Sequence, residues 1–252
     1  MGESYRVEPK KEDRGMETKS WTIDRFEGAE QLADSVARKL LGGLGESQVQ
    51  SIALSGGRIT VKLFQAVSDR AKEQNLPLGD LKFFWADERC VPLDSPDSNY
   101  VLAKEHLFDP LRIAEEQVFP FAGGQSPSEM SKLGQSMLSR ELPHEQSGVP
   151  VIDLILLGMG EDGHIASLFP ENLNLDQERE ESCYDVVASK PPPDRITLSF
   201  PVLEAAKEVW LVISGDGKAE VLREALGGDK SKPVGHLLAL RQHTAIFTDL
   251  VD

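Results

Sequence analysis

The sequence predicts an α/β fold, a Rossmann-like three-layer αβα sandwich with a mostly parallel central sheet. Short apolar runs typical of buried strands alternate with segments whose apolar residues recur at helical spacing. Glycine-containing turns follow several of these runs, and no internal repeat or linker divides the 252 residues. Strands that alternate with helices form parallel sheets between helical layers, and the right-handed crossover rule favours a doubly wound order.

The first 20 residues are polar and charged and lack periodicity, so we expect a poorly ordered tail. Regular structure is expected to begin with an alternating strand at 21–26. Apolar residues at helical spacing follow over 29–41, and the glycine pair 42–43 predicts the end of that helix. We therefore expect a single domain over 21–252.

A glycine pair follows the second predicted strand, which covers 49–54. Ser55, Gly56, Gly57 and Arg58 form the turn, and a helix with an apolar face comes next. Free backbone N–H groups at a helix start can bind an anion, so this turn is a candidate anion site. An ordinary tight turn between a strand and a helix has the same pattern, and two glycines alone do not decide between the two interpretations.

Charged residues also follow the third predicted strand, at 81–85. Asp87 and Arg89 come directly after it, and 98–100 are predicted to open a helix. The carboxyl ends of parallel strands line binding sites, which makes these side chains candidate ligands rather than simply solvated surface. Further along, 116–119 predicts a short strand, and a capping box at 126–129 predicts a helix start.

The strand predicted at 151–157 leads into the most informative stretch, Gly-Met-Gly-Glu-Asp-Gly-His over 158–164. Its glycines allow a tight turn close to a ligand. Asp162 and His164 would lie at the carboxyl end of the strand. Because imidazole accepts a proton near neutral pH and a nearby carboxylate can orient it, this pair predicts a general base.

The same glycines fit the dinucleotide-binding fingerprint, which would indicate a nicotinamide-dependent dehydrogenase. That fingerprint needs a helix directly after the glycines. Here Pro170 follows His164 by six residues, and 171–181 is polar without a helical stripe. The missing helix disfavours dinucleotide binding.

The C-terminal third continues the alternation of elements. Strands are predicted at 184–188, 195–199, 208–213 and 244–248, with helices after Lys218 and at 234–240. Arg195 begins one of these strands. Lys218 closes a second glycine turn at a helix start, which is another arrangement suited to an anion.

Composition limits the possible partners. The formal net charge is −15, which argues against nucleic acid or anionic membranes as partners. No apolar run is long enough to span a membrane, and the sequence lacks an apolar signal core. Two cysteines, Cys90 and Cys183, do not make a disulfide scaffold, so we expect a reducing cytoplasm and packed free thiols.

Leu-Gly-Met-Gly-Glu-Asp-Gly-His-Ile-Ala-Ser-Leu-Phe-Pro, over 157–170, closely resembles the signature of 6-phosphogluconolactonases. Glucosamine-6-phosphate isomerases and deaminases share its Gly-x-Gly-x-Asp-Gly-His core. The resemblance runs from about Trp21 to the end of the chain. Its other markers are 54–57, 85–89 with 91–92 and 98–99, 193–198 and 217–219.

This resemblance implies hydrolysis of 6-phospho-D-glucono-1,5-lactone to 6-phosphogluconate in the oxidative pentose phosphate pathway, without a metal or organic cofactor. His164 would be the general base, Asp162 would orient it, and Arg89 would bind phosphate or stabilise negative charge near the carbonyl. The candidate substrate-binding and phosphate-binding residues are Ser55, Gly56, Gly57, Arg58, Asp87, Gly160, Gly163, Arg195 and Lys218. Asp87 has a second interpretation, an internal salt bridge.

One departure from the family pattern affects the first glycine turn. Many members read Ser-Gly-Gly-Ser-Thr-Pro, whereas this chain has Arg58, Ile59 and Thr60 after the glycines. Two hydroxyls that could contact phosphate are missing. Arg58 either replaces them with charge or points to solvent.

Two alternatives on the same fold remain. A glucosamine-6-phosphate deaminase typically has a catalytic glutamate where this chain has Phe169, which cannot move a proton. A non-catalytic sugar-phosphate-binding protein would not need His164 as a base, and the sequence shows no helix-turn-helix or basic appendage. The sequence does not give the oligomeric state, for which a monomer is our expectation.

Overall fold

The computed structural model describes residues 4–7, 20–45, 49–121, 123 and 125–250. Ten strands in these ranges form two sheets. They are β1 (Ser4–Val7), β2 (Ser20–Arg25), β3 (Ser51–Leu54), β4 (Lys82–Trp85), β5 (Asp87–Arg89), β6 (Leu154–Leu157), β7 (Cys183–Val187), β8 (Asp194–Leu198), β9 (Glu208–Ile213) and β10 (His243–Thr248).

The central sheet has seven strands in the order β1-β2-β10-β9-β6-β3-β4. The edge strand β1 is antiparallel to β2, and all other neighbours are parallel. This sheet confirms the predicted α/β class with a mostly parallel sheet. Its middle strands are buried along their whole length, which explains why they read as continuous apolar runs.

Helices connect the parallel strands. The α-helices are α1 (Ala29–Gly45), α2 (Arg58–Glu73), α3 (Asn99–Ala103), α4 (Asp109–Leu111), α5 (Pro127–Glu141), α6 (Leu173–Asp176), α7 (Phe200–Ala205), α8 (Ala219–Leu226) and α9 (Pro233–Leu240). A π-helical turn at Lys104–Phe108 joins α3 to α4. Three 3₁₀ turns cover Glu115–Gln117, Pro170–Asn172 and Asp216–Lys218. No helix in the described ranges is long and apolar enough to cross a membrane.

The order of the strands places a crevice at the centre of the sheet. From β3 the chain moves outward to β4, whereas from β6 it moves in the opposite direction to β9 and β10. The loops that leave the carboxyl ends of β3 and β6 therefore diverge. In open α/β sheets such a reversal of strand order marks the ligand site.

A second, three-stranded antiparallel sheet, β5-β8-β7, lies beyond the carboxyl end of β4. Ala86 connects it to the central sheet, since its N–H donates to Leu54 and its carbonyl accepts from Leu198. The sequence predicted the strands at β7 and β8 but treated β5 as a charged loop. Cross-strand pairing with β8 makes β5 a strand despite its three charged residues.

The poorly ordered tail expected over 1–20 stays a prediction, because most of it lies outside the described residues; Ser4–Val7 within it forms a strand. Two other local predictions were wrong. Helix α1 continues past 42–43 to Gly45, because glycine weakens a helix by only about 1 kcal/mol and Leu44 packs against the core. The strand expected at 116–119 is a 3₁₀ turn with one bridge from Val118 to Phe83.

Other local predictions are confirmed. Ser126 caps α5, and the Glu129 carboxylate accepts the reciprocal capping-box hydrogen bond from the backbone N–H of Ser126. No helix follows the glycines of 158–163 directly, since 163–169 contains only turns and bridges. The backbone therefore lacks the helix start that a dinucleotide pyrophosphate would need there.

Candidate active site

An open cavity of about 340 Å³ lies at the crevice, over the carboxyl ends of β3 and β6. Nine of the twelve residues predicted for the site line it: Ser55, Gly56, Gly57, Arg58, Asp87, Arg89, His164, Arg195 and Lys218. The other three, Gly160, Asp162 and Gly163, lie outside this lining and belong to the loop that carries His164.

The cavity is positively charged although the chain carries a net charge of −15. Its lining holds five basic side chains against one acidic side chain, Asp87. The basic ones are Arg58, Lys62, Arg89, Arg195 and Lys218. A local cluster of this kind can attract an anionic ligand into a cleft against an unfavourable overall charge.

His164 and Asp162 form a close pair. The Nδ1 atom of His164 lies 2.5 Å from Oδ1 of Asp162. The second carboxylate oxygen accepts from Nζ of Lys190 at 2.9 Å. Burial opposes ionisation of Asp162, but the Lys190 and His164 contacts outweigh it and lower its pKa to about 2. A permanent carboxylate at Nδ1 holds the proton of a neutral imidazole there and leaves Nε2 free to accept one.

The loop around His164 is shaped for this pair. Gly160 is essential because a Cβ atom there would lie 2.1 Å from Nδ1 of His164. The backbone N–H of Gly160 donates to the carbonyl of His164 at 2.9 Å, which closes the loop. Gly163 has a φ of +83°, a conformation that favours glycine. Both glycines were predicted to contact substrate, and that role stays a prediction. In the structure, the absent Cβ of Gly160 leaves the space that the imidazole occupies.

Phe169 packs against the base. It is fully buried, and its ring centroid lies 4.8 Å from that of His164. The position that carries a glutamate in the deaminase branch therefore holds an apolar wall behind the imidazole. No proton-transfer group is present there to assist His164.

The turn between β3 and α2 forms another wall of the cavity. Gly57 has a φ of +121° and precedes Arg58, the first residue of α2, without a side-chain cap on the helix. The first N–H groups of a helix have no partner inside the helix, so they are available to a ligand. Gly56 packs so closely on Asn99 that a Cβ would lie 2.0 Å from its Oδ1 atom.

Glu88 fixes the neighbouring wall. Its side chain is 1% exposed and accepts from the backbone N–H groups of Arg89, Asn99 and Tyr100 and from the Ser98 hydroxyl, at 2.7–2.9 Å. Burial raises its pKa, while these hydrogen bonds act in the opposite direction. The buried carboxyl therefore ties β5 to the start of α3 and holds the backbones of two lining residues.

Arg89 and Arg195 lie opposite each other on the paired strands β5 and β8. Arg89 donates from Nη1 to the carbonyl of Asp97 at 2.6 Å. Arg195 is 6% exposed and donates to the carbonyls of Pro192 and Lys190, at 3.0 and 3.4 Å. Burial lowers the pKa of Arg195, with Asp87 opposing that effect. Much of the Arg195 guanidinium is thus committed to the protein, which limits the phosphate-binding role predicted for it.

Asp87 and Lys218 complete the polar lining. Asp87 accepts from the Ser167 hydroxyl at 2.7 Å, and the salt bridge considered from the sequence is not formed in the described structure. Burial lowers the pKa of Lys218, and the positive charge of Arg58 lowers it further. Arg58 and Lys218 are therefore near enough to act on the same ligand, although they come from loops after different strands.

Three side chains of the site were not predicted from the sequence. Lys62 lies one helical turn after Arg58, a spacing that could have been read from the sequence. Asn99 was read only as the start of a helix. Lys190 comes from the connector between β7 and β8, and no sequence pattern relates it to Asp162. In the ranges the structure describes, no three His, Cys, Asp or Glu side chains converge as metal ligands.

Similarity to known proteins gives the family of the chain. Residues 24–246 match the family described as glucosamine-6-phosphate isomerases/6-phosphogluconolactonase. A 6-phosphogluconolactonase of Streptomyces coelicolor is 32% identical over 79% of this chain and 80% of that protein. One from Mycobacterium tuberculosis is 34% identical over 83% of this chain and 87% of that protein. The structure of 6-phosphogluconolactonase from Trypanosoma brucei is 29% identical, has a TM-score of 0.80 and covers 90% of this chain and 95% of that one. The chain belongs to the family of glucosamine-6-phosphate isomerases and 6-phosphogluconolactonases.

Proposed function

We propose that this protein is a 6-phosphogluconolactonase, which hydrolyses 6-phospho-D-glucono-1,5-lactone to 6-phosphogluconate in the oxidative pentose phosphate pathway. The observation that carries the proposal is the His164–Asp162 pair, which sits at the edge of a cavity lined by five basic side chains. A base beside a positively charged cavity suits an anionic substrate whose reaction needs an activated water. The named relatives are lactonases, which supports the same activity.

His164 acts as the general base. Its Nε2 atom takes a proton from a water molecule as that water attacks the lactone carbonyl carbon. Asp162 holds the other ring nitrogen and stabilises the imidazolium that forms. The tetrahedral intermediate then releases the ring oxygen, and His164 returns the proton to it. One residue thereby serves as base and then as acid.

The basic side chains divide into two groups. Arg58 and Lys218 flank the start of α2, and together with the N–H groups of that turn they hold the phosphate. Arg89 lies on the neighbouring wall, at the end of β5, and stabilises the negative charge that develops on the carbonyl oxygen. Asp87 accepts hydrogen bonds from sugar hydroxyls through its second carboxylate oxygen. No step requires a metal or an organic cofactor.

We propose a cytoplasmic location for this activity. Burial raises the pKa of both thiols, Cys90 and Cys183, to about 12, and neither is in a disulfide. Inert, unpaired thiols fit a reducing compartment. A monomer remains our prediction for the oligomeric state. Light scattering, which measures the molar mass in solution, would test it.

The test is hydrolysis of freshly generated 6-phosphogluconolactone, with the product oxidised by 6-phosphogluconate dehydrogenase in the same cuvette. The rate must be corrected for spontaneous ring opening by a blank without enzyme. We expect a rate well above the blank that scales with enzyme concentration. A rate equal to the blank for correctly folded protein would contradict the proposal.

A further inference from the structure

Lys190 is the charged side chain next to the His164–Asp162 pair that no step of the mechanism uses. It lies between β7 and β8, and its side chain is 53% exposed. Its Nζ atom contacts Oδ2 of Asp162 at 2.9 Å, while Oδ1 of the same carboxylate contacts His164 at 2.5 Å. The Asp162 carboxylate therefore lies between the Lys190 ammonium and the His164 imidazole.

Hydrogen bonds from Arg195 hold the connector that carries Lys190. The buried guanidinium of Arg195 donates from Nε to the carbonyl of Pro192 and from Nη2 to the carbonyl of Lys190 itself. Its Nη1 atom lies 3.5 Å from the hydroxyl of Ser167, three residues after His164. One side chain thus fixes the Lys190 backbone against the loop of the base. The contact between Lys190 and Asp162 is supported by this anchored backbone in addition to the ion pair.

The Lys190 ammonium weakens the effect that the negative charge of Asp162 has on the His164 imidazole. A lone carboxylate at Nδ1 stabilises the imidazolium and makes the histidine more basic. An over-basic histidine would be protonated at neutral pH and could not accept a proton from water. A cation on the other oxygen cancels part of that effect while leaving the hydrogen bond to Nδ1 in place.

We propose that Lys190, held in place by Arg195, is a positioning residue that acts through Asp162. It fixes the carboxylate that orients the His164 ring and offsets part of the negative charge of that carboxylate. Its ammonium contacts the carboxylate of Asp162, and it would therefore act on the imidazole only through that carboxylate. The inference rests on the proposed function for its catalytic meaning, although the coupling between the three side chains can be measured without substrate.

Other charges surround the loop of the base and the cavity, and they must stay constant in the test. Asp162 belongs to the loop itself, Lys232 at the start of α9 packs against Gly163 of the same loop, and the remaining ones belong to α2, the small sheet and the turn before α8. They are Arg58, Lys62, Asp87, Arg89, Arg195 and Lys218. None of these is changed when Lys190 is replaced, so a shift in the titration of His164 reports the Lys190 charge.

The experiment compares Lys190→Met with two control variants. Lys190→Arg keeps the charge, and Lys132→Met removes an exposed positive charge on α5, far in sequence from the His164–Asp162 pair. The His164 ring proton is followed by NMR against pH and assigned by its loss in His164→Gln. We expect Lys190→Met to move the titration midpoint upward by about 0.5 pH unit, the size expected for loss of one nearby, partly screened charge. The two control variants should match the wild type.

Steady-state kinetics give the second readout. The acid limb of the kcat profile should move upward with the NMR midpoint in Lys190→Met, which lowers kcat about threefold below the midpoint and leaves the alkaline plateau nearly unchanged. An unchanged midpoint, or an equal shift in Lys132→Met, would overturn the inference. A shifted midpoint in a protein without lactonase activity would instead overturn the proposed function and leave the coupling intact.

Discussion

His164 is the residue on which the proposed chemistry depends, and its replacement gives the first prediction. His164→Ala should lower kcat roughly 10²–10⁴-fold, the usual range for a lost general base. His144→Ala, which changes an exposed histidine between α5 and β6, is the matched control and should keep full activity. Turnover is measured by the coupled lactone assay, with thermal unfolding to verify that both variants fold.

The pH dependence of the wild type tests the same role. Because the pKa of Asp162 is about 2, that carboxylate stays ionised from pH 5 to 8 and contributes no limb in this window. A fall in kcat as the solution becomes acidic would then report protonation of the imidazole, which can no longer accept a proton. Near-wild-type turnover in His164→Ala, or a flat profile from pH 5 to 8, would remove His164 from the mechanism.

The basic side chains of the cavity give the second prediction. Lys218 is half-buried beside Arg58, so Lys218→Ala should weaken binding of 6-phosphogluconate much more than binding of gluconate. We expect a smaller loss for Arg58→Ala, since the N–H groups at the start of α2 remain. Lys230→Ala, an exposed lysine elsewhere, is the control. Titration calorimetry with both ligands is the measurement, and equal losses for the two would show that Lys218 does not read phosphate.

Arg195 shows what sequence could not reveal about single residues. A cation at the start of a strand beside the cavity was correctly predicted to line the site. Its commitment to the carbonyls of Lys190 and Pro192 depends on how the connector folds back, which no local pattern encodes. By contrast, the His164–Asp162 contact could be predicted because the two residues are neighbours in one loop.

At the scale of elements, the glycine loop between β6 and α6 gives the third prediction. Gly160→Ala should lower kcat by about 10²-fold or more, because the new Cβ would overlap Nδ1 of His164 and displace the base. Gly42→Ala in α1 is the control, since a Cβ there meets nothing within 4 Å and alanine favours the helix. The coupled assay and the unfolding midpoint should be measured for both. Unchanged turnover in Gly160→Ala would show that the imidazole is not held by this loop.

Strands were predicted correctly where their residues are apolar and buried. They were missed where only pairing with a neighbouring strand makes the segment a strand. The strands β3, β6 and β9 are apolar except for Ser51 and Glu208 at the starts of β3 and β9, and they were recognised from that pattern. Strand β5 consists of Asp87, Glu88 and Arg89, which have no strand pattern of their own and are ordered by pairing with β8. Helix α7 was not predicted either, because it is only six residues long and begins with Phe-Pro.

At the scale of the whole molecule, the sequence predicted the sheet and the edge at which the site lies. Alternation of strands and helices was enough for the parallel order, and the reversal between β3 and β6 then defines the crevice. The shape of the cavity could not be predicted, because one of its walls is formed by β5 and β8, two strands far apart in the chain that carry Asp87, Arg89 and Arg195. Those segments are positioned by long-range contacts such as the Cys90 N–H with Asp194.

The last prediction separates the two activities that share this fold. A deaminase must move protons between C1 and C2 of the sugar and expel ammonia, so it needs more acid–base groups than a lactonase. Here Phe169 supplies a buried ring where the deaminase branch has a glutamate, and that ring packs against His164. We therefore expect rapid lactone hydrolysis and no ammonia release from glucosamine 6-phosphate by one preparation, before and after chelator treatment. Ammonia release without accelerated lactone opening would overturn the assignment, and lactonase activity that disappears with chelator and returns with metal would overturn the metal-free mechanism.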